Sequence, residues 1–86
     1  MPVVSRFFGI SIALYHNDHW PPHFHARHGE FEASLLLDTL EVCEGRLPRS
    51  ALSRARKWGR LHREEIERDW ELARLGLPLN AIPPLE

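Results

Sequence analysis

Apolar and polar residues alternate along the first half of the chain and recur at three- and four-residue steps along the second. Ile10, Ile12 and Leu14 interleave with Ser11, Ala13 and Tyr15, the period of two of a half-buried strand. Phe7-Phe8-Gly9 before it reads as a separate short strand or a bulged lead-in. Residues 17–22 cannot continue a ladder, because Pro21 and Pro22 have no N–H and Asn17-Asp18 favours a turn. A second strand runs from His23 to Arg27, turns at Gly29 and returns over 31–37. With Gly29-Glu30 as the loop, Phe24 faces Leu35, Ala26 faces Ala33 and His28 faces Phe31; with His28-Gly29 as the loop the partners shift, but every residue keeps its face. The other face pairs His25 with Ser34 and Arg27 with Glu32. A slip of one residue would turn the apolar set into water, which fixes the parity. A further hairpin around Asp38-Thr39 sets Leu35 against Val42 and leaves Cys43 beside Ser34, half-buried on the histidine face.

In the second half, Ala51, Leu52, Ala55, Trp58, Ile66, Trp70 and Ala73 mark one helical stripe, with Pro48 suited to a first helical position. Gly76 followed by Pro78 is a stop signal. One helix over 48–75 would be about 42 Å long, more than a small sheet can cover, so a bend or break is expected near Gly59. Leu77, Leu79 and Ile82 of the proline-rich tail, 77–86, are expected to pack as an extended segment. The expectation is one α+β domain over 1–86: a small curved antiparallel sheet of three to four strands (about 3–45), against one long kinked helix or two helices (about 48–75).

With 86 residues, 43% hydrophobic and 27% charged, the composition is that of a small globular protein. A net charge of −1 gives no bulk electrostatic reason to expect nucleic-acid binding. The charge is uneven, however. Arg46, Arg49, Arg54, Arg56, Lys57, Arg60 and Arg63 fall in a stretch without acids, and five acids against one Arg follow over 64–71. That switch favours a protein partner or self-association over a nucleic-acid track. The single Cys43 suits a reducing compartment, and apolar runs as short as Leu35-Leu36-Leu37 leave no signal peptide or membrane span, so a cytoplasmic protein is expected.

The chemistry concentrates in "HNDHWPPHFHARH", which places five histidines within residues 16–28. His23 and His25, two apart on a strand, point the same way. They can serve as an acid–base pair in cleaving an RNA phosphodiester, with Asp18 or His19 orienting them. Arg27 would hold phosphate, and Trp20 and Asn17 would also contact the substrate. The same two rings could hold a metal, with His16, His19 or Cys43 as third ligand. The bland alternative is a solvated sheet face, with Trp20 packed over the sheet edge. No cofactor is expected. His62 reads as a hydrogen-bonded histidine at the core edge.

The stretches "MPVVSRFFGI", "YHNDHWPPHFHA", "EVCEGRLPR" and "LHREEIERDWELARLG" together resemble a family of small bacterial proteins, domain of unknown function 4160. Asn17, Asp18, His19, Pro21, Pro22, His23, Phe24 and His25 carry the most specific part of the pattern, followed by Glu44, Gly45, Leu47 and Pro48. Cys43 departs from it, standing where an aliphatic residue is expected, which argues against cysteine chemistry. The resemblance implies a neighbouring gene for a second small protein, of the type called domain of unknown function 2442, sometimes with a DNA-binding helix-turn-helix. Such two-gene layouts resemble toxin–antitoxin modules. By that analogy this chain is the toxin-like member, directed at RNA or the ribosome and bound by a small antitoxin-like partner. A non-catalytic docking module, a histidine-based metal-binding protein and a homo-oligomer stay open as alternatives.

Overall fold

The structure, a computed structural model, describes residues 2–16 and 18–86. Five strands come first: β1 (Val3–Phe7), β2 (Ile10–Ala13), β3 (His23–His28), β4 (Phe31–Leu36) and β5 (Val42–Arg46). Two helices follow, α1 (Arg49–Leu61) and α2 (Arg63–Arg74). The strands form one curved antiparallel sheet in sequence order, β1-β2-β3-β4-β5. Alternation sends Ile10, Ile12, Phe24, Ala26, Ala33 and Leu35 into the core, where each is nearly or fully buried. Trp58 of α1 closes that core, edge-on to Phe24 at 5.6 Å and stacked on Phe7 at 5.7 Å. Its indole N–H donates to the Pro83 carbonyl at 2.9 Å, so the tail satisfies a polar group that burial would otherwise strand.

The α+β class holds, but the strand count of three to four becomes five. The extra strand is β1, joined to β2 by a turn at Phe8 (φ 50°) and Gly9 (φ 76°). A left-handed Phe is an uncommon turn residue, so the hairpin carries no ordinary turn signature. A bulge between Val3 and Ser5 further breaks the alternation, leaving Val4 and Ser5 both buried. Of the two β3–β4 registers the sequence leaves open, the structure has that of the Gly29-Glu30 loop, from His23↔Leu36 to His28↔Phe31. Leu35 does pair with Val42. Cys43, however, sits in an irregularity of the ladder; Glu44 takes the place opposite Ser34, and the cysteine is exposed rather than half-buried.

The helical break also moves, from Gly59 to His62 (φ −116°, ψ 26°). Gly59 serves a close approach: a Cβ there would lie 2.8 Å from Leu40 Cδ2 and 3.3 Å from Phe24 Cζ. At the bend, His62 N–H still donates to Trp58 O and Ile66 N–H to His62 O, so the chain kinks without opening. His62 Nδ1 meets Glu65 Oε1 at 2.5 Å, within the first turn of α2. Pro48 occupies the N-cap of α1, one place before the first helical residue. Leu77 N–H to Leu72 O and Gly76 N–H to Ala73 O, with Gly76 at φ 74°, end α2 in a Schellman motif.

The tail packs through Ile82 and Leu85, with Leu79 partly buried; Leu77, expected among them, is exposed. Ile82 N–H donates to Val4 O and Asn80 N–H to Asp69 Oδ1. Asp69 is 1% exposed, and its Oδ2 has no hydrogen-bond partner among the described residues. Burial pushes this carboxyl above its ordinary value, against the pull of the Asn80 hydrogen bond and of Arg68. A raised folded-state value means that the charged form costs stability above it, and that the cost is relieved as pH falls toward the unfolded value near ~3.9. Asp69→Asn keeps an acceptor for Asn80 and removes this dependence. The stability of the wild type relative to the variant is therefore expected to rise as pH is lowered from 7.5 to 4.5 in urea titrations. A pH-independent difference would show that the fold does not raise the Asp69 carboxyl. No helix among the described residues is long and apolar enough to cross a membrane.

Candidate functional site

The site forms where the loop after β2 returns to start β3. Strand parity points His23 and His25 to one face, and β4 sets Ser34 directly opposite His25. The loop carries Asp18 over this face, and one of its oxygens meets both rings. Asp18 Oδ2 lies 2.9 Å from His25 Nε2 and 3.0 Å from His23 Nε2. Its Oδ1 accepts the His19 backbone N–H at 3.0 Å. His23 is 2% exposed. The side chains of Asp18 and His25 keep 13% and 15%, an aperture toward solvent.

The far nitrogens of the two rings set their protonation patterns. The Pro21 carbonyl can only accept, so at 2.8 Å it takes a proton from His23 Nδ1. Ser34 Oγ lies 3.1 Å from His25 Nδ1 and donates to it, which leaves His25 Nε2–H to donate to Asp18. His25 is thus satisfied as a neutral ring. His23 is different: its Nδ1 is already a donor, and its Nε2 also faces a carboxylate oxygen. Burial pushes the Asp18 carboxyl up, but the hydrogen bond from His25, the charge of His23 and the His19 N–H outweigh it and hold the group below its ordinary value.

Aromatic groups wall the cluster. Tyr15 stands edge-on to His25 at 4.4 Å, His19 stacks on His23 at 5.0 Å, and Trp70 of α2 lies against His23 at 5.4 Å. Burial and Glu32 raise the Tyr15 hydroxyl, with Arg27 opposing. A groove of about 250 Å³ opens beside His25, lined also by Glu32, Ser34 and Glu44. A second, of about 410 Å³, runs along Pro21, Pro22, Leu36 and Leu37, with Trp20, 72% exposed, on its wall.

The structure therefore brings together Asp18, His23 and His25, with the exposed His19 at their side. It places other sequence candidates elsewhere. His16 bonds the Leu77 carbonyl at 3.0 Å, outside the cluster. Arg27 is exposed one step along the strand face from His25, opposite Ser11 and Glu32. Cys43 Sγ contacts the Ser34 carbonyl at 3.4 Å. Asn17 lies outside the described residues. Sequence reasoning named Ser34 only as the strand partner of His25, and the Pro21 carbonyl, Tyr15 and Trp70 not at all as parts of the site. The Ser34 signal was present in the hairpin register; the others depend on how the loop and α2 approach the strand.

No curated protein and no solved structure matches the chain. The model of the family described as domain of unknown function (DUF4160) matches residues 9–71, a span that holds all of β2 to β5, the whole loop with Asp18, both rings of the cluster and the kinked helices up to Glu71. The chain belongs to that family.

Proposed function

We propose that this chain is a toxin-like, RNA-directed effector whose reactive centre is the cluster of Asp18, His23 and His25. The observation that supports this reading is the convergence of both Nε2 atoms on a single carboxylate oxygen in a nearly dry setting. Such a buried polar constellation adds little stability that apolar side chains would not supply better, and perturbed groups of this kind concentrate at reactive sites. Cleavage of a phosphodiester requires the attacking oxygen to lose a proton and the leaving oxygen to gain one, which a partly open histidine–carboxylate centre can support. Arg27 is exposed on the same strand face, and in this reading it holds a phosphate of the substrate.

The test is induction of this protein alone in a bacterial host, beside His25→Ala and Trp20→Ala at matched soluble levels, with RNA integrity read in parallel. Arrest and RNA fragmentation are expected from the wild type and to fall by at least about 100-fold in His25→Ala. Unimpaired growth and intact RNA with the wild type would sink the reading. That outcome would favour a docking module instead, for which one observation speaks: the exposed indole of Trp20 beside an apolar groove suits the anchor of a protein partner.

A further inference from the structure

We propose that Asp18 Oδ2, His23 Nε2 and His25 Nε2 are the three protein ligands of a divalent metal ion of the zinc class. The inference deepens the reading of this cluster as the reactive centre, and rests on it for chemistry but not for binding.

A neutral ring satisfies only one of the two contacts of His23. Its Nδ1–H is committed to the Pro21 carbonyl at 2.8 Å. The Asp18 oxygen 3.0 Å from its Nε2 then calls for a positive charge at that nitrogen, carried by a second ring proton or by a bound cation. His23 is 2% exposed, so whichever fills that place is shielded from bulk water. A metal ion there bonds the carboxylate and both rings at once, which a ring proton cannot do.

The spacing is close to that of such an ion's ligands. Metal–ligand bonds of about 2.0–2.1 Å at tetrahedral angles place neighbouring donor atoms about 3.3–3.4 Å apart, so the donors need open by only a few tenths of an ångström to admit zinc. The two His–Asp separations are 2.9 and 3.0 Å, and all three donor atoms lie within 4.8 Å of one another. The donor set, two imidazoles and one carboxylate, suits zinc and its first-row neighbours rather than magnesium or calcium.

The outer partners are those that ligand histidines require. Each ring has its other nitrogen fixed, His23 Nδ1 by the Pro21 carbonyl and His25 Nδ1 by Ser34 Oγ. On metal binding His25 changes tautomer: its Nδ1–H donates to Ser34 Oγ, and Nε2 becomes free to ligate. The hydroxyl of Ser34 can serve as donor or acceptor, so it accommodates both states. Three protein ligands leave further positions for water, on the side where Asp18 and His25 remain partly exposed, which is the pattern of a reactive rather than a purely structural centre. With both rings as ligands, a bound ion would supply the nucleophile by acidifying a water on it; that water would release its proton to solvent and attack as hydroxide, and the leaving oxygen would take a proton from solvent.

The test uses the full chain, stripped with chelator and titrated with zinc by calorimetry, with cobalt absorption bands as a second readout of the ligand set. One equivalent per chain is expected. Binding should weaken by at least 100-fold in His25→Ala and in Asp18→Asn, and should be unchanged in His16→Ala. Where His23→Ala fails to fold, the Asp18→Asn and His25→Ala results decide the matter. Binding that is absent, not stoichiometric, or equally tight in Asp18→Asn would overturn the proposal. Stoichiometric metal without RNA cleavage would sink the effector reading and leave the site standing. Cleavage undiminished in excess chelator, from a chain that takes up no zinc in the titration, would do the reverse.

Discussion

Gly45→Ala is expected to lower stability by roughly 3 kcal/mol or more, the sum of left-handed strain and a disrupted ladder. Gly45 has φ +74°, and a Cβ built on it would stand 2.1 Å from the Glu32 carbonyl oxygen and 3.1 Å from Ala33 Cα. Both obstacles are backbone, so no side chain can swing away. Relief requires β5 to move off β4, and the β4–β5 ladder includes Ala33↔Gly45 and Glu32↔Arg46. Gly29→Ala is the control. That residue is also left-handed, at φ +60°, but nothing lies within 4 Å of its Cβ position, so only strain of about 1–2 kcal/mol applies. With a urea slope near ~1 kcal/mol/M for a small domain, the midpoints should fall by about 3 M and about 1–2 M. Equal shifts would mean that the close approach at Gly45 is not a feature of the folded protein. The site is affected as well, because Gly45 lines the groove beside His25.

The contrast between the two glycines shows what a sequence can disclose. A glycine at a hairpin tip is legible from its neighbours, and the face of every β3 and β4 residue followed from the alternation around Gly29, with the choice between two loops left to the fold. Gly45 and Gly59 are required by a partner strand and by Leu40 and Phe24, which only the folded chain brings near. Local pattern placed a helical break at Gly59 because glycine is a poor helix former, yet packing needs that glycine inside an intact α1 and puts the kink at His62. Likewise, Phe7-Phe8-Gly9 left a short strand and a bulged lead-in equally open, because Phe8 takes up a backbone conformation that side chains of its kind rarely adopt.

The site divides in the same way. That His23 and His25 share a face is a matter of strand parity and could be read directly. The loop residue that reaches them could not: Asp18 and His19 were equal candidates as orienting groups, and His16 was a further ligand candidate. The folded loop delivers the Asp18 carboxylate to both rings, stacks His19 on the outside, and turns His16 toward the tail. Which carbonyl would hold His23 Nδ1, and that Trp70 would cover the ring, depends on tertiary approach alone.

Removing Asp18 should separate the stability of this cluster from its use. Asp18→Ala takes away the acceptor of His25 Nε2–H and the carboxylate facing the buried His23, and is expected to cost roughly 2–4 kcal/mol, as for a broken buried polar pair. The double variant Asp18→Ala/His23→Leu replaces that remnant with apolar contact against Trp70 and should recover most of the loss. His23→Leu alone leaves Asp18 with its His25 and His19 hydrogen bonds and is expected to cost less than Asp18→Ala. Chemical denaturation of the three variants in the presence of chelator measures this cycle without contribution from metal. A double variant that is as unstable as Asp18→Ala would show that the cluster is a stability element, fixing the loop onto β3. A double variant near wild-type stability, together with the loss of zinc binding, would show that the chain carries a buried polar centre its fold does not need. In that case the Asp18–His23–His25 geometry is maintained at the expense of an equally stable apolar core, which is the signature of a site kept for what it binds.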